Sequence, residues 1–243
     1  MIAIPRRDTD PLGFRPMQEG PDRRLFILAA FAVVAVGVVA AILIGRGGGG
    51  DDSSSAASAG ADGCKEVEAP QPKKVSLEAP PQTVKKGEEL TAVVETSCGS
   101  FEIALDSTRA PKTVNSFAYL SEEGFYDGLG FHRISPGFVI QGGDPLGNGL
   151  GGPGYSVTEE PPGNLAYTKG TVAMAKSSAD PPGRSGSQFY VVTAADAGLP
   201  PEYALVGKVD EGYDVVERID KLGTAAEKPK QPVLIEKITI EKG

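Results

Sequence analysis

FHRISPGFVIQGGDP, Phe131 to Pro145, sets the chain's only histidine beside an arginine and follows them with an aromatic, a glutamine and two glycines. Arg133 supplies a planar fork of donors, Phe138 and Val139 supply apolar surface, and Gln141 adds an amide two residues further on. In strands, alternation sends Arg133 and Gln141 to the face opposite their immediate neighbours, while Pro136-Gly137 breaks the run and re-aims the residues after it. A cation beside an apolar slot with no nucleophile suits electrostatic catalysis on a neutral group. His132 has no second histidine near it and both cysteines are remote in sequence, so a zinc site or a Cys-His pair is not expected. It reads as a packed, hydrogen-bonded structural histidine. The serines lack a base: Ser187 sits in SGSQF, a glycine-rich turn, and GRSGS is not a nucleophile elbow. Gly147 to Gly154 lacks the lysine and following helix of a phosphate loop and reads as a wide loop beside a groove.

Outward from this stretch, Leu90 to Glu95 and Phe101 to Leu105 alternate as two strands, with Ser97-Cys98-Gly99-Ser100 turning between them. Ala110-Pro111-Lys112 opens a helix, since proline is tolerated in a first turn, and Val114, Phe117 and Leu120 fall on one face. A second helix is expected from Tyr213 to Leu222, where Val215, Ile219 and Leu222 repeat at helical spacing, and Val233 to Ile240 closes the chain as a strand. Periodicity alone predicts a mainly β domain with two helices.

The signature stretch resembles that of the cyclophilins, peptidyl-prolyl cis-trans isomerases. So do SFEIALDSTRAPKTVNSF (Ser100 to Phe117), GFYDG (Gly124 to Gly128), GTVAMA (Gly170 to Ala175), SGSQFYVV (Ser185 to Val192) and LVGKV (Leu205 to Val209). The resemblance covers about residues 89–243. It implies a closed, eight-stranded antiparallel barrel capped by a helix at each end, with the site on the outer barrel surface and no cofactor. It makes Arg133, Phe138 and Gln141 the catalytic set. Val139, Tyr190 and Leu199 join Phe138 in holding the proline ring, Gln188 is the second amide, and Ala175 and Lys176 belong to the segment whose backbone bonds the peptide. Tyr203 stands where better-known relatives carry histidine, and Val139 and Tyr190 where methionine and phenylalanine are common. The chain has no tryptophan, and the position of the family's drug-contacting tryptophan falls near Gly198. Weak cyclosporin A binding with retained isomerase activity is therefore expected.

The rest of the chain supplies a setting. Leu25 to Gly45 is 21 residues without a charge, and a helix of that length crosses about 30 Å of hydrocarbon. Five arginines precede it and Arg46 alone follows closely, which places the N-terminus in the cytoplasm and the remainder outside. A cleavable signal peptide is the competing reading, but its apolar core would be shorter and closer to a small-residue site such as Ala57-Ser58-Ala59. The domain organisation is then a cytoplasmic segment 1–24, a transmembrane helix 25–45, a Gly/Ser/Pro-rich extracytoplasmic linker 46–88 and a cyclophilin-like domain 89–243. The linker has too little apolar surface to offset the entropy of ordering; Arg46 to Gly63 is expected to be a coil spanning about 20 to 25 Å. After residue 46 the chain holds 18 basic and 28 acidic side chains, a balance that disfavours nucleic acid as partner and reads as a solvated surface. Outside the cytoplasm, Cys64 and Cys98 make an even count without metal-ligand companions, so one disulfide is the economical reading and two free thiols the alternative.

The function expected is a membrane-anchored isomerase acting on X-Pro bonds of exported polypeptides, its domain monomeric and its partners proline-containing chains. The alternative is a proline-segment-binding chaperone or adaptor in which isomerisation is incidental; such a binder could dispense with Arg133.

Overall fold

The computed structural model describes residues 62–243. The predicted cytoplasmic segment, the span 25–45 and the linker up to residue 61 lie outside the described residues. Among the described residues no helix is long and apolar enough to cross a membrane.

Strands β1 (Leu90–Thr96) and β2 (Gly99–Leu105) form the predicted hairpin with a tighter turn, Thr96 facing Gly99 across it. The Thr96 hydroxyl closes the turn, donating to the Gly99 carbonyl at 2.6 Å and accepting from Cys98 N at 3.0 Å. Helix α1 (Pro111–Glu122) begins on its proline and buries Val114, Phe117 and Leu120 completely. Next come β3 (Arg133–Ser135) and β4 (Val139–Gly142), joined through Pro136-Gly137. Gly137 has φ 69°, and Phe138 N donates to Ser135 O at 3.0 Å. That is a turn with proline second and glycine in the left-handed third position, as this sequence demands.

The chain continues through β5 (Val157–Thr158), β6 (Thr171–Met174), β7 (Arg184–Ser185), β8 (Phe189–Val192) and β9 (Leu205–Glu211) to α2 (Tyr213–Asp220) and β10 (Ile235–Lys242). Eight strands make one antiparallel sheet in the order β10-β1-β2-β9-β6-β8-β4-β3, and β5 and β7 pair separately. α1 packs against β10, β5 and β9, and α2 against β2, β4 and β3.

This sheet is a half-barrel, not the closed barrel that the resemblance implied. Its end strands β10 and β3 share no ladder; the seam holds an isolated bridge, Gly130 to Leu234, flanked by Phe131 N donating to Val233 O at 3.0 Å. β3 is short, and the donor of its central residue is already taken, since Ile134 N bonds the Glu227 carbonyl at 3.1 Å. A loop therefore occupies the edge that another strand would need. The last strand starts two residues later than predicted because Val233 and Leu234 serve this seam.

Strands β4, β6 and β8 are buried on almost every residue. Ile140, Val172, Met174, Phe189 and Val191 face the main core, where Phe189 meets Phe117 edge-on at 5.5 Å. Val139, Ala173, Tyr190 and Val192 face the other way, into a smaller cluster with Tyr167. That second cluster is the floor of the candidate site.

From residue 64 the segment read as linker lies on the domain. Its backbone is extended, as its prolines suggest, but it is held: Lys65 N donates to Ser97 O at 2.7 Å, Lys73 N to Pro145 O at 2.9 Å and Leu77 N to Pro153 O at 2.7 Å. Val75, Leu77 and Val84 pack on the core. Cys64 and Cys98 are disulfide-bonded, both fully or almost fully buried, pinning the start of this strap to the first hairpin. Free-tether behaviour is thus excluded for the part from Cys64 onward; few apolar side chains suffice where backbone bonds and a covalent link share the work of ordering.

Candidate active site

The β3-β4 register pairs Arg133 with Gln141, so the two polar side chains leave the same face of the hairpin. Arg133 Nη1 donates to Gln141 Oε1 at 3.3 Å, Gln141 Nε2 to Gln188 Oε1 at 3.0 Å, and Gln188 Nε2 to the Gly151 carbonyl at 2.9 Å. The arginine can only donate and the carbonyl can only accept, so both amides are oriented by the ends of this chain. It links the cation to the glycine-rich loop 147–154, whose entry is shaped by Asp144: its carboxylate accepts from Leu146 N and Asn148 N, both at 2.8 Å, and from Gly149 N.

Arg133 stands at the mouth of a cleft of about 210 Å³ lined by Phe138, Val139, Gln141, Ala175, Lys176, Tyr190, Leu199 and Tyr203. Its guanidinium carbon lies 5.9 Å from the centre of the Phe138 ring. The floor is aromatic: Tyr190 meets Tyr203 edge-on at 5.7 Å, and Tyr203 meets Tyr167 edge-on at 5.8 Å. The backbone of Tyr203 is clipped in place, with Tyr167 Oη donating to its carbonyl at 2.6 Å and accepting from its amide at 2.9 Å. Burial pushes the Tyr167 hydroxyl up to about 12. Tyr190 is buried, its hydroxyl has no hydrogen-bond partner among the described residues, and desolvation drives its pKa far above the usual range. The hydroxyls of Tyr167 and Tyr190 are therefore neutral at physiological pH.

All nine cleft residues are ones the sequence singled out, and Gln188 adjoins them through Gln141 and lines the neighbouring hollow with Gly149, Leu150 and Gly151. The glycine-rich loop thus walls the hollow next to the cleft. Lys176 contributes more than backbone: its ammonium is nearly buried, 3.1 Å from Glu202 Oε2 and 5.5 Å from the centre of the Tyr203 ring. Ala175 N is committed to the Gln188 carbonyl at 2.8 Å. Gly198 has φ 61°, and a Cβ there would meet nothing within 4 Å. Cys64 and Cys98 lie with the strap, apart from the cleft lining.

His132 lines a different hollow, with Pro70, Pro72 and Pro229. It is packed but not hydrogen-bonded as the sequence suggested; its buried Nδ1 finds no partner among the described residues. The prolines around it have no N–H to offer. Ser187 Oγ donates to Gly143 O at 2.8 Å, a structural bond. Among the described residues no cluster of three or more His, Cys, Asp or Glu side chains is arranged to hold a metal ion.

The residue that sequence reasoning missed is Glu227. Arg133 Nε donates to its Oε2 at 2.7 Å and Ser135 Oγ to its Oε1 at 2.8 Å, across more than ninety residues of chain. These bonds, that from Arg133 foremost, hold the carboxyl below the ordinary carboxylate value. No local motif marks such a partner; it becomes visible only when the 222–230 loop folds back along β3.

The sequence model of the family described as cyclophilin type peptidyl-prolyl cis-trans isomerase/CLD matches residues 91–240. The chain belongs to the cyclophilins. It is 37% identical over 174 residues to peptidyl-prolyl cis-trans isomerase B of Streptomyces anulatus, covering 63% of this chain and 98% of that protein. It is 39% identical over 169 residues to peptidyl-prolyl cis-trans isomerase A of Mycobacterium tuberculosis, covering 62% and 91%. Among solved structures, a cyclophilin type isomerase of Cryptosporidium parvum superposes with a TM-score of 0.59 at 30% identity, over 64% of this chain and 99% of that one. The same parasite protein in the presence of the dipeptide Ala-Pro gives 0.58. The cyclophilin domain is a peptidyl-prolyl cis-trans isomerase, and the strap and everything before it lie outside the matched residues.

Proposed function

We propose that this cyclophilin accelerates X-Pro rotation by stabilising the twisted amide through Arg133, acting outside the membrane on exported chains that pass its anchor. Amide resonance opposes the rotation with a barrier of about 20 kcal/mol, and the uncatalysed event takes about 10 to 100 s. As the bond twists, the prolyl nitrogen becomes pyramidal and its lone pair becomes a hydrogen-bond acceptor. A donor aimed there binds the twisted state better than either planar state, which is the condition for catalysis. Turnover near ~10³ s⁻¹ requires lowering the barrier by about 6 kcal/mol. A charge-assisted bond from a guanidinium held in a partly dry cleft, together with loss of water from the substrate carbonyl, accounts for that scale without a covalent step.

The observation that carries the reading is the position of Arg133, held by Glu227 and Gln141 at the rim of an aromatic cleft of about 210 Å³. The slot takes the proline ring against Phe138, Val139, Leu199 and Tyr190. Ala175 N being occupied, the next peptide unit, Ala175 C=O and Lys176 N–H, is the one left to bond the substrate backbone.

The uncharged stretch 25–45 supports a single-pass anchor, with five arginines on its cytoplasmic side. Protease added to intact cells expressing the full-length chain should remove the domain while the chain stays with membranes after an alkaline wash. Release by that wash, or protection of the domain, would contradict the placement. Activity itself is tested with the full-length chain on an X-Pro peptide, where absence of isomerisation would defeat the mechanism.

A further inference from the structure

Glu227 is the only non-glycine residue with positive φ among the described residues, at 56°. Glycine takes that conformation freely and L side chains do not, so the turn by itself has no use for a glutamate. The side chain has one elsewhere. Its two carboxylate oxygens accept from Arg133 Nε and Ser135 Oγ, alternate residues on one face of β3, and its carbonyl accepts from the amide of Ile134 between them. One residue therefore grips all three residues of the strand that carries the arginine. The turn is itself secured, Glu227 N donating to Thr224 O at 2.9 Å and Thr224 N to Lys228 O at 3.0 Å.

The consequence for the guanidinium is geometric. Nε is held by Glu227 and Nη1 by Gln141, two donors pointing in different directions within one plane, and a plane held at two such points cannot swivel about the Cδ–Nε bond. Nη2 makes no hydrogen bond among the described residues and remains for the cleft. Without the carboxylate, only the 3.3 Å bond to Gln141 holds the plane, and that is the longer of the two.

We propose that Glu227 is a positioning residue for isomerisation, holding the Arg133 fork in the orientation that meets the twisted prolyl amide. This rests on the reading of Arg133 as the donor. The informative substitution is Glu227→Gly, which suits the positive φ, keeps the backbone bond to Ile134 and removes only the side chain. The full-length variant should melt no earlier than wild type and should bind a proline peptide within about twofold, while kcat falls on the order of tenfold, the scale of a misoriented catalytic group. Glu227→Gln, which keeps one acceptor, should fall between. In an Arg133→Ala background, Glu227→Gly should cost nothing further, because there is no fork left to position. An unchanged kcat in both single variants, a loss confined to KM, or an equal loss in the Arg133→Ala background would overturn the assignment. An Arg133→Ala chain that isomerises normally would instead defeat the underlying reading, a separate result.

Discussion

At the residue scale, the site's polarity follows from a few side chains whose surroundings leave little choice. Alternation in a short motif shows Arg133 and Gln141 turned away from their neighbours and the resemblance singles them out, but their pairing on one face is visible only in the hairpin register. Glu227 was not, because an ion pair across the fold leaves no local trace. Tyr190 is the informative departure: its hydroxyl is buried without a partner among the described residues. A buried, unsatisfied donor destabilises, so Tyr190→Phe is predicted to raise stability by about 1 kcal/mol with isomerase activity kept; denaturant unfolding checks this, and a loss would mean the hydroxyl has a partner. His132 gives a pH dependence. Burial lowers its pKa below the usual 6.5, so the native state binds its proton less readily than the unfolded chain. Stability is then fully present above about pH 6.5 and declines as the pH falls from there toward the depressed folded value. As the single histidine of the chain, it can be isolated: His132→Gln should flatten the melting temperature between about pH 7 and 5, and an unchanged slope would count against it.

At the element scale, the hairpin, both helices and the final strand followed from local pattern, while β4, β6 and β8 did not show period-two alternation because both faces are covered. Apolar residues on the outward face of these strands look like core in the sequence; here they are the floor of the cleft. The strap looks like a tether in the sequence for the opposite reason, as its few apolar side chains give no sign of the bonds that order it. One helix side chain does much of this: Asn115 Oδ1 accepts from Thr83 N, Thr83 Oγ1 and Val84 N, and its Nδ2 donates to Pro81 O. The strap groups it bonds are exposed or half-buried, so Asn115→Ala is predicted to destabilise by about 1 to 2 kcal/mol, read as a lower midpoint in denaturant unfolding. Reducing the Cys64–Cys98 link frees a loop with ends 34 residues apart, at a cost of about 4 kcal/mol in the chain-entropy account. Unfolding with and without reductant measures it; an unchanged midpoint, or two alkylatable thiols in unreduced protein, would contradict it.

At the scale of the whole molecule, family membership was legible because the motifs recur in order across the domain, whereas the open seam of the sheet was not. Closure depends on whether one short edge strand pairs with another, and here the Glu227 loop occupies the free edge of β3 in competition with such pairing. That same competition ties architecture to chemistry, since the loop that leaves the half-barrel open is the one that grips the arginine. The rim near Leu199 carries Gly198, with open space where a side chain would stand. Cyclosporin A is accordingly predicted to inhibit weakly, and nanomolar inhibition in a prolyl isomerisation assay would refute this. Arg133 is proposed to act on the transition state rather than on binding. This is tested most directly by kcat and peptide affinity, measured together, for Arg133→Ala and Arg133→Lys against wild type. A fall in kcat of roughly 10²-fold or more is expected for both, since lysine lacks the planar fork, with affinity for a proline peptide changed little. Isomerisation at the wild-type rate in either variant would contradict it.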